Sequence, residues 1–409
     1  MTLHPTADHS PATSSPAGHS PARRSPAGRS RLRTLLGTAV GAGVLAIAVP
    51  LSVTAPAFAD SGSGAVFVQL NSAAGNAIAA YARSGDGTLT PAGSYATGGL
   101  GGTELNAPLD ALASQSGLVL DRDERTLVAV NAGSNTVTSF RTRGAGLDRV
   151  SVVPSGGQFP SSVAVRGNLA YVLNAGGDGA ISGFRLDDGR LSPLKGSTRT
   201  LGLGNLNPPL FITAPAQIGF SGDGRFLIVT TKAKNLLLTY ALGADGRPAA
   251  SPVATTSAGA VPFSFVVDPR GTVHVTEAGT GATSSYRVAG DGTLKLIASS
   301  ASSGGAALCW NVRVGRYLFG ANAGSAALSS WTIGANGAAV LKSAVAATTN
   351  AGPIDLAASS DSRTVYVEES VAGTLGAYSV GPDGSLTRIQ TVTGLPVFNA
   401  GGMEGIAAS

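Results

Sequence analysis

The chain has 409 residues, of which 12% are charged, with 57 glycines, 22 prolines and one cysteine. That composition excludes a disordered chain and any disulfide framework, and it suits a globular protein dense in turns. The net charge of +5 does not point to nucleic acid: Arg23, Arg24, Arg29, Arg31 and Arg33 lie before residue 60 with Asp8 as the only acid, and setting these aside leaves 23 basic and 22 acidic residues.

Residues 1–30 cycle through His-Ser-Pro-Ala, Ser-Pro-Ala-Gly and Ser-Pro-Ala-Arg and carry too few large apolar side chains to build a core. The basic stretch ending at Arg33 precedes an apolar run over 35–53 and then Ala57-Phe58-Ala59. Basic, apolar and Ala-x-Ala segments in that order predict a secretory signal peptide cut after Ala59. The expected location is outside the cell or in its envelope, with no membrane insertion after cleavage. An uncleaved anchor is the alternative, because the apolar run approaches the roughly 20 residues that span a bilayer.

From residue 64 to the end, one unit repeats. Its most legible copy starts at Phe159-Pro160-Ser161-Ser162-Val163-Ala164-Val165, passes through Leu169-Ala170-Tyr171-Val172-Leu173-Asn174 and Ala180-Ile181-Ser182-Gly183-Phe184-Arg185, and finishes at Leu191-Ser192-Pro193-Leu194. Four short alternating runs separated by Gly, Asn and Asp form an antiparallel meander. A Gly-containing turn before the fourth run recurs seven times, among them Gly85-Asp86-Gly87, Asp188-Gly189, Gly290-Asp291-Gly292 and Pro382-Asp383-Gly384. A second marker, such as Asn131-Ala132-Gly133, Asn174-Ala175-Gly176 or Asn322-Ala323-Gly324, closes the second run, with Thr231, Glu277 and Glu369 in its first position elsewhere. The prediction is an all-β, seven-bladed β-propeller of four-stranded antiparallel blades over 64–409. Because the repeat begins at a second strand, Ala65-Val66-Phe67-Val68-Gln69, the terminal Gly402-Met403-Glu404-Gly405-Ile406-Ala407-Ala408 should supply the missing inner strand and close the ring.

Repeats such as Asp223-Gly224-Arg225-Phe226-Leu227-Ile228-Val229 and Gly381-Pro382-Asp383-Gly384-Ser385-Leu386 resemble the seven-bladed lactonase-like propellers, which include 6-phosphogluconolactonases and carboxymuconate-lactonizing enzymes. The resemblance implies catalytic His and Arg at inner-strand openings. The matching stretches here read Phe159-Pro160-Ser161-Ser162 and Pro215-Ala216-Gln217-Ile218, without either. His274 falls mid-strand and reads as structural, and Cys309 reads as a small packed residue.

Inner-strand openings converge on one face of a propeller. They bring Ser161, Ser162, Gln217, Phe263, Trp310, Asn311, Asp355 and Glu404 together there, with Glu277 and Glu369 in the neighbouring ring of turns. Two long connections cover the same face: 98–113, with Glu104, Asn106 and Asp110, and 202–214, with Asn205 and Asn207. The expected ligand site is Gln217, Phe263, Trp310, Asn311, Asp355, Glu404 and Glu277 at the channel mouth, binding a small polar molecule or an envelope component. The alternative is a lactone hydrolase or cyclase with a rebuilt carboxylate site, for which Ca²⁺ or Mg²⁺ on Asp355, Glu404, Asn311 and Gln217 would suit oxygen donors. Otherwise no cofactor is expected, nor nucleic acid, and the expected state is a monomer.

Overall fold

A computed structural model describes residues 64–121, 123 and 125–409. The signal-peptide reading of residues 1–59 lies outside these residues. Among the described residues no helix is long and apolar enough to cross a membrane.

Seven antiparallel sheets follow one another, numbered here as blades 1 to 7. The inner strands are Ile406–Ala408 in blade 1, then Leu118–Asp121, Pro160–Arg166, Pro215–Phe220, Pro262–Val267, Leu308–Val314 and Pro353–Ala358. Blade 1 is assembled from both ends of the propeller: Val66, Phe67 and Val68 pair with Ala408, Ala407 and Ile406. The Gln69 amide donates to the Gly405 carbonyl at 3.0 Å, and the Glu404 amide to the Gln69 carbonyl at 2.9 Å. The expected closure by the C-terminal strand is therefore present.

The second strands explain why the unit must recur. Those of blades 2 and 4 to 7 are buried at every position, so both of their faces pack on other blades. In blade 1, Phe67 packs with Leu127 and Ala129 of blade 2, whereas Val66 and Val68 pack with Tyr366 of blade 7. Alternation along one strand thus commits successive residues to opposite neighbours.

The Gly turns before the fourth strands also dock sideways. The Tyr366 hydroxyl of blade 7 donates to the Gly87 carbonyl at 2.8 Å, Tyr171 of blade 3 to Gly246, and Thr239 of blade 4 to Gly292. Gly87 has φ +90°, and a Cβ there would lie 2.5 Å from the Thr364 hydroxyl, so the turn requires glycine twice over. One blade departs from the pattern. The fourth strand of blade 3 stops at Pro193, and the chain rejoins the third strand only at Arg199–Thr200. Pro193 cannot donate to a ladder, and Gly196 at φ +74° turns the chain away.

The inner strands of blades 3 to 7 each shift register at their opening, between Pro160 and Ser162, Pro215 and Gln217, Pro262 and Phe265, Leu308 and Trp310, and Pro353 and Leu356. A bulge re-aims the residues it contains. Here it repeats around the axis at the positions where function was sought.

Truncation after residue 403 removes the inner strand of blade 1 and leaves the Ala65–Gln69 edge unpaired. The expected outcome by circular dichroism is loss of the single cooperative thermal transition, against a sharp one for the intact propeller.

Candidate functional site

The connection from blade 1 to blade 2 folds into the channel mouth. Residues 104–117 cross the inner-strand openings and are held there by blades on every side. The Ser114 carbonyl accepts from the Trp310 indole at 2.8 Å, and the Ser114 hydroxyl donates to the Ser161 carbonyl at 2.7 Å. Gln115 accepts the Asn311 amide on its side chain at 2.9 Å and the Ser162 hydroxyl on its carbonyl at 2.7 Å. The Ser370 hydroxyl donates to the Leu109 carbonyl at 2.7 Å.

All seven residues expected to bind ligand are consequently buried. Trp310 stacks edge-on against Phe263, with ring centroids 5.0 Å apart. Gln217 bonds both ways to the backbone of Phe265 and staples blade 4 to blade 5. The Asn311 side chain is held by Ser264 and the His274 carbonyl. Glu277 is set apart, fastened by Ser257, Gly259 and Tyr286 within blade 5 and its entry loop. Glu369 does the same in blade 7 with Asn350, Thr374, Tyr378 and Arg388.

Asp355 and Glu404 belong to a different assembly. Glu404 Oε1 and Asp110 Oδ1 both accept the Leu112 amide, at 3.0 and 2.9 Å, and Asp110 Oδ2 also accepts the Ser114 amide at 3.2 Å. The Ser116 amide faces the Asp355 carboxyl. Glu368 is fully buried close by; the Gly405 amide faces its carboxyl, and no side chain bonds it. The nearest cation is Lys232, also fully buried: its ammonium lies 3.3 Å from Glu104 Oε2 and 2.9 Å from the Ala113 carbonyl, over the rings of Phe211 and Phe263 at 4.6 and 5.5 Å.

Burial pushes the carboxyls of Glu104, Asp355, Glu368 and Glu404 well above the usual range, and that of Asp110 upward. For Glu104 the Lys232 charge opposes this in part. Mutual repulsion adds to it for Asp355, Glu368 and Glu404. Asp110, Asp355, Glu368 and Glu404 therefore keep their protons to higher pH than exposed carboxyls do, whereas Glu104 lies against the Lys232 ammonium, which favours its ionised form.

Two further groups are quiet. His274 is enclosed between the Ser285 hydroxyl at 3.0 Å and Asp268 at 3.7 Å, and burial lowers its basicity. Burial likewise pushes the Cys309 thiol far up, which removes the thiolate a nucleophile needs.

The donors considered for Ca²⁺ or Mg²⁺ do not converge. Both polar atoms of Gln217 are taken by Phe265, Asn311 is tied to Ser264 and His274, and Glu404 Oε1 holds the Leu112 amide. Among the described residues no group of three or more His, Cys, Asp or Glu side chains is placed to hold a metal ion. The metal-assisted site therefore does not fit these residues.

Open space lies beyond this connection. A cavity of about 790 Å³ is lined by Ser116, by Leu118–Asp121, and by residues of the inner strands of blades 1, 3 and 7, from Ile406 to Ala408 and around Val165 and Ala357. Ser116 is its blind end, with Asp355 directly behind.

The architecture matches known structures. A periplasmic gluconolactonase from Pseudomonas aeruginosa superposes with a TM-score of 0.62 at 19% identity, covering 82% of this chain and 98% of that one. A candidate 6-phosphogluconolactonase from Bacteroides uniformis gives 0.64 at 18%, covering 82% and 98%. A Lactobacillus plantarum protein gives 0.65 at 17%, covering 85% and 99%. The chain has the lactonase-like propeller fold. No protein-family model matches it, and no curated protein does.

Sequence reasoning placed Glu104 and Asp110 over the right face but missed Lys232 and Glu368. In this lactonase-like propeller Lys232 occupies the second-marker position that holds Ala132, Ala175, Ala278 and Ala323 in other blades. That exception was the available signal. Glu368 precedes Glu369, and strand alternation sends it to the opposite face.

Two outcomes follow. A carboxyl whose pKa is raised by folding costs nothing below its unfolded value, and it destabilises progressively as pH rises toward the folded value. The turn carboxylates Asp86, Asp245 and Asp291 are instead held low by the following amides of Thr88, Arg247 and Thr293, and they lose their contribution in acid. Urea melts across pH should therefore give greatest stability near the ordinary carboxylate range of about 4 to 5, falling on the alkaline side, with Asp110→Asn flattening that limb. Lys232→Met alone should cost about 3–5 kcal/mol by leaving buried acid without its counter-charge. Adding Glu104→Gln should recover most of that loss in the same urea melts.

Proposed function

We propose that the chain is an exported lactonase-like propeller that binds a small polar ligand, or a polar group on an envelope component, in the central channel without hydrolysing it. The cover over the inner-strand openings carries this reading. Ser161, Ser162, Trp310 and Asn311 spend polar groups on residues 114–115, so the face where the family resemblance implies His and Arg is engaged by the chain itself. Export is supported by the apolar run over 35–53 followed by Ala57-Phe58-Ala59.

The cavity ending at Ser116 supplies the space, and its walls explain the ligand class. Inner strands present backbone edges toward an axis, and Asp121, Asp123 and Arg166 add charge at the wide end. Such walls favour hydroxyl groups over apolar ones.

A second reading has one observation behind it: Asp110 and Glu404 converge on a single amide and can hold a proton between them, as an acid and base pair requires. In that reading the propeller opens lactones by carboxyl chemistry alone.

The two separate experimentally. Purified residues 60–409 should show a rise in melting temperature with sugar acids or sugar lactones and no turnover of the lactones. Ser116→Trp, which fills the blind end, should abolish the rise while the protein alone still melts cooperatively. Lactone turnover that disappears in Glu404→Gln or Asp355→Asn would overturn the binding reading in favour of the hydrolase.

A further inference from the structure

The hold on residues 104–117 is unlike the rest of the fold. The segment forms no ladder with an inner strand. Scattered hydrogen bonds pin it instead: from Glu404 in blade 1, from Ser370 in blade 7, from Trp310 and Asn311 in blade 6, from Lys232 and the Ala216 carbonyl in blade 4, and from Ser161, Ser162 and the Val163 amide in blade 3, with the Val130 amide of blade 2 on Gly117. Three of its non-glycine residues, Asn106 at φ +60°, Ala113 at φ +44° and Ser116 at φ +68°, sit in the sparsely populated left-handed region. Such conformations persist only where surrounding contacts enforce them.

One of those contacts depends on a proton. Asp110 lies on the segment and Glu404 on blade 1, and one oxygen from each accepts the same Leu112 amide at 2.9 and 3.0 Å. A single N–H satisfies two anions poorly, and two carboxylates that close cannot both be charged in a dry site. A proton between them removes the repulsion and adds a bond across the joint.

The surroundings offer little to replace that proton. Asp355 and Glu368 face the pair from blade 7, and Tyr81 of blade 1 borders Glu368. From blade 4 comes Lys232, already shared with Glu104 of the segment, and from blade 6 the neutral Cys309 thiol. Five carboxyls thus share one ammonium, and Glu368 has no side-chain partner, only the Gly405 amide facing its carboxyl.

We propose that residues 104–117 form a proton-latched plug: with a proton held between Asp110 and Glu404 the segment seals the channel mouth, and loss of that proton releases it and uncovers Trp310, Ser161 and Ser162. The segment's own backbone marks what could follow it into the mouth, because the openings grip it mainly at main-chain atoms of residues 112–116. The upward displacement of all five acids by burial sets the direction: the plug is shut in acid and opens as pH rises.

Trp310 and Trp331 are the chain's two tryptophans. Trp331→Phe therefore leaves Trp310, bonded to the plug, as sole reporter. Acrylamide quenching of that variant of residues 60–409 should rise several-fold between about pH 5 and about pH 9, while far-ultraviolet circular dichroism stays constant. Adding Asp110→Asn and Glu404→Gln, which keep shape without an ionisable proton, should hold quenching low throughout. Quenching independent of pH, quenching that rises only together with loss of the β spectrum, or the same pH profile in the neutral variant would each overturn the proposal. Hydrogen exchange on the unmodified protein is a second measure for the case in which those variants fail to fold. Protection factors of the Leu112 and Ser114 amides should drop with pH while those of the second strands hold, and unchanged protection at 112 and 114 would equally overturn it. No ligand enters either measurement, so failure here is distinct from failure of the binding reading.

Discussion

Everything in this molecule depends on the fact that a blade's second strand has no solvent face. Phe67 and Val68, adjacent in one strand, belong to two different interfaces, and the same division is made in every blade around the ring. No blade can be stable alone, and no gap in the circle is tolerable. The pairing of Val66, Phe67 and Val68 with the last residues is therefore the condition under which all seven interfaces exist together.

Closure of the ring creates a problem at its axis. Five bulged openings aim side chains into a narrow space, and this chain fills that space with its own connection. Aromatic and amide groups there are well satisfied. The acids are not: Glu368 has only the Gly405 amide near its carboxyl, and the buried ammonium of Lys232 is committed to Glu104 and the Ala113 carbonyl. Burying unmatched carboxyls opposes folding, since each must keep a proton or be repelled. A cost so concentrated, in a protein whose other Asp residues mostly sit in hairpin turns, marks the axis as the place where this chain departs from pure architecture.

The repeat was legible because local chemistry and fold agree in it. Gly87, Gly292 and Gly384 stand at turns that demand positive φ, and alternation in 65–69 and 364–369 reports two buried faces. Even the split blade could be read, since the repeat begins at a second strand and 402–408 resembles an inner one. The axis was only half legible. Composition at the openings identified Trp310, Asn311, Asp355 and Glu404 as neighbours, but not that a connection would lie across them. Whether a loop folds inward depends on bonds between residues far apart in sequence, such as Ser114 with Trp310, and no local pattern encodes those. Lys232 was hidden for the opposite reason: a lysine after a strand reads as a solvated turn unless it is compared with the alanines at the same place in other blades.

Blade 1 also fixes an order of events. Its second strand is among the first parts of the propeller to leave the ribosome, and its inner strand is the last, with well over three hundred residues between Val66 and Ala408. Blades 2 to 7 are each complete soon after synthesis, so only this one waits. Until the final residues arrive the ring is an open arc with an unpaired strand edge at its start, and bringing those ends together is the most non-local step in the chain. A polypeptide built this way stays an arc until its last strand is free to fold, and only that strand makes it a ring.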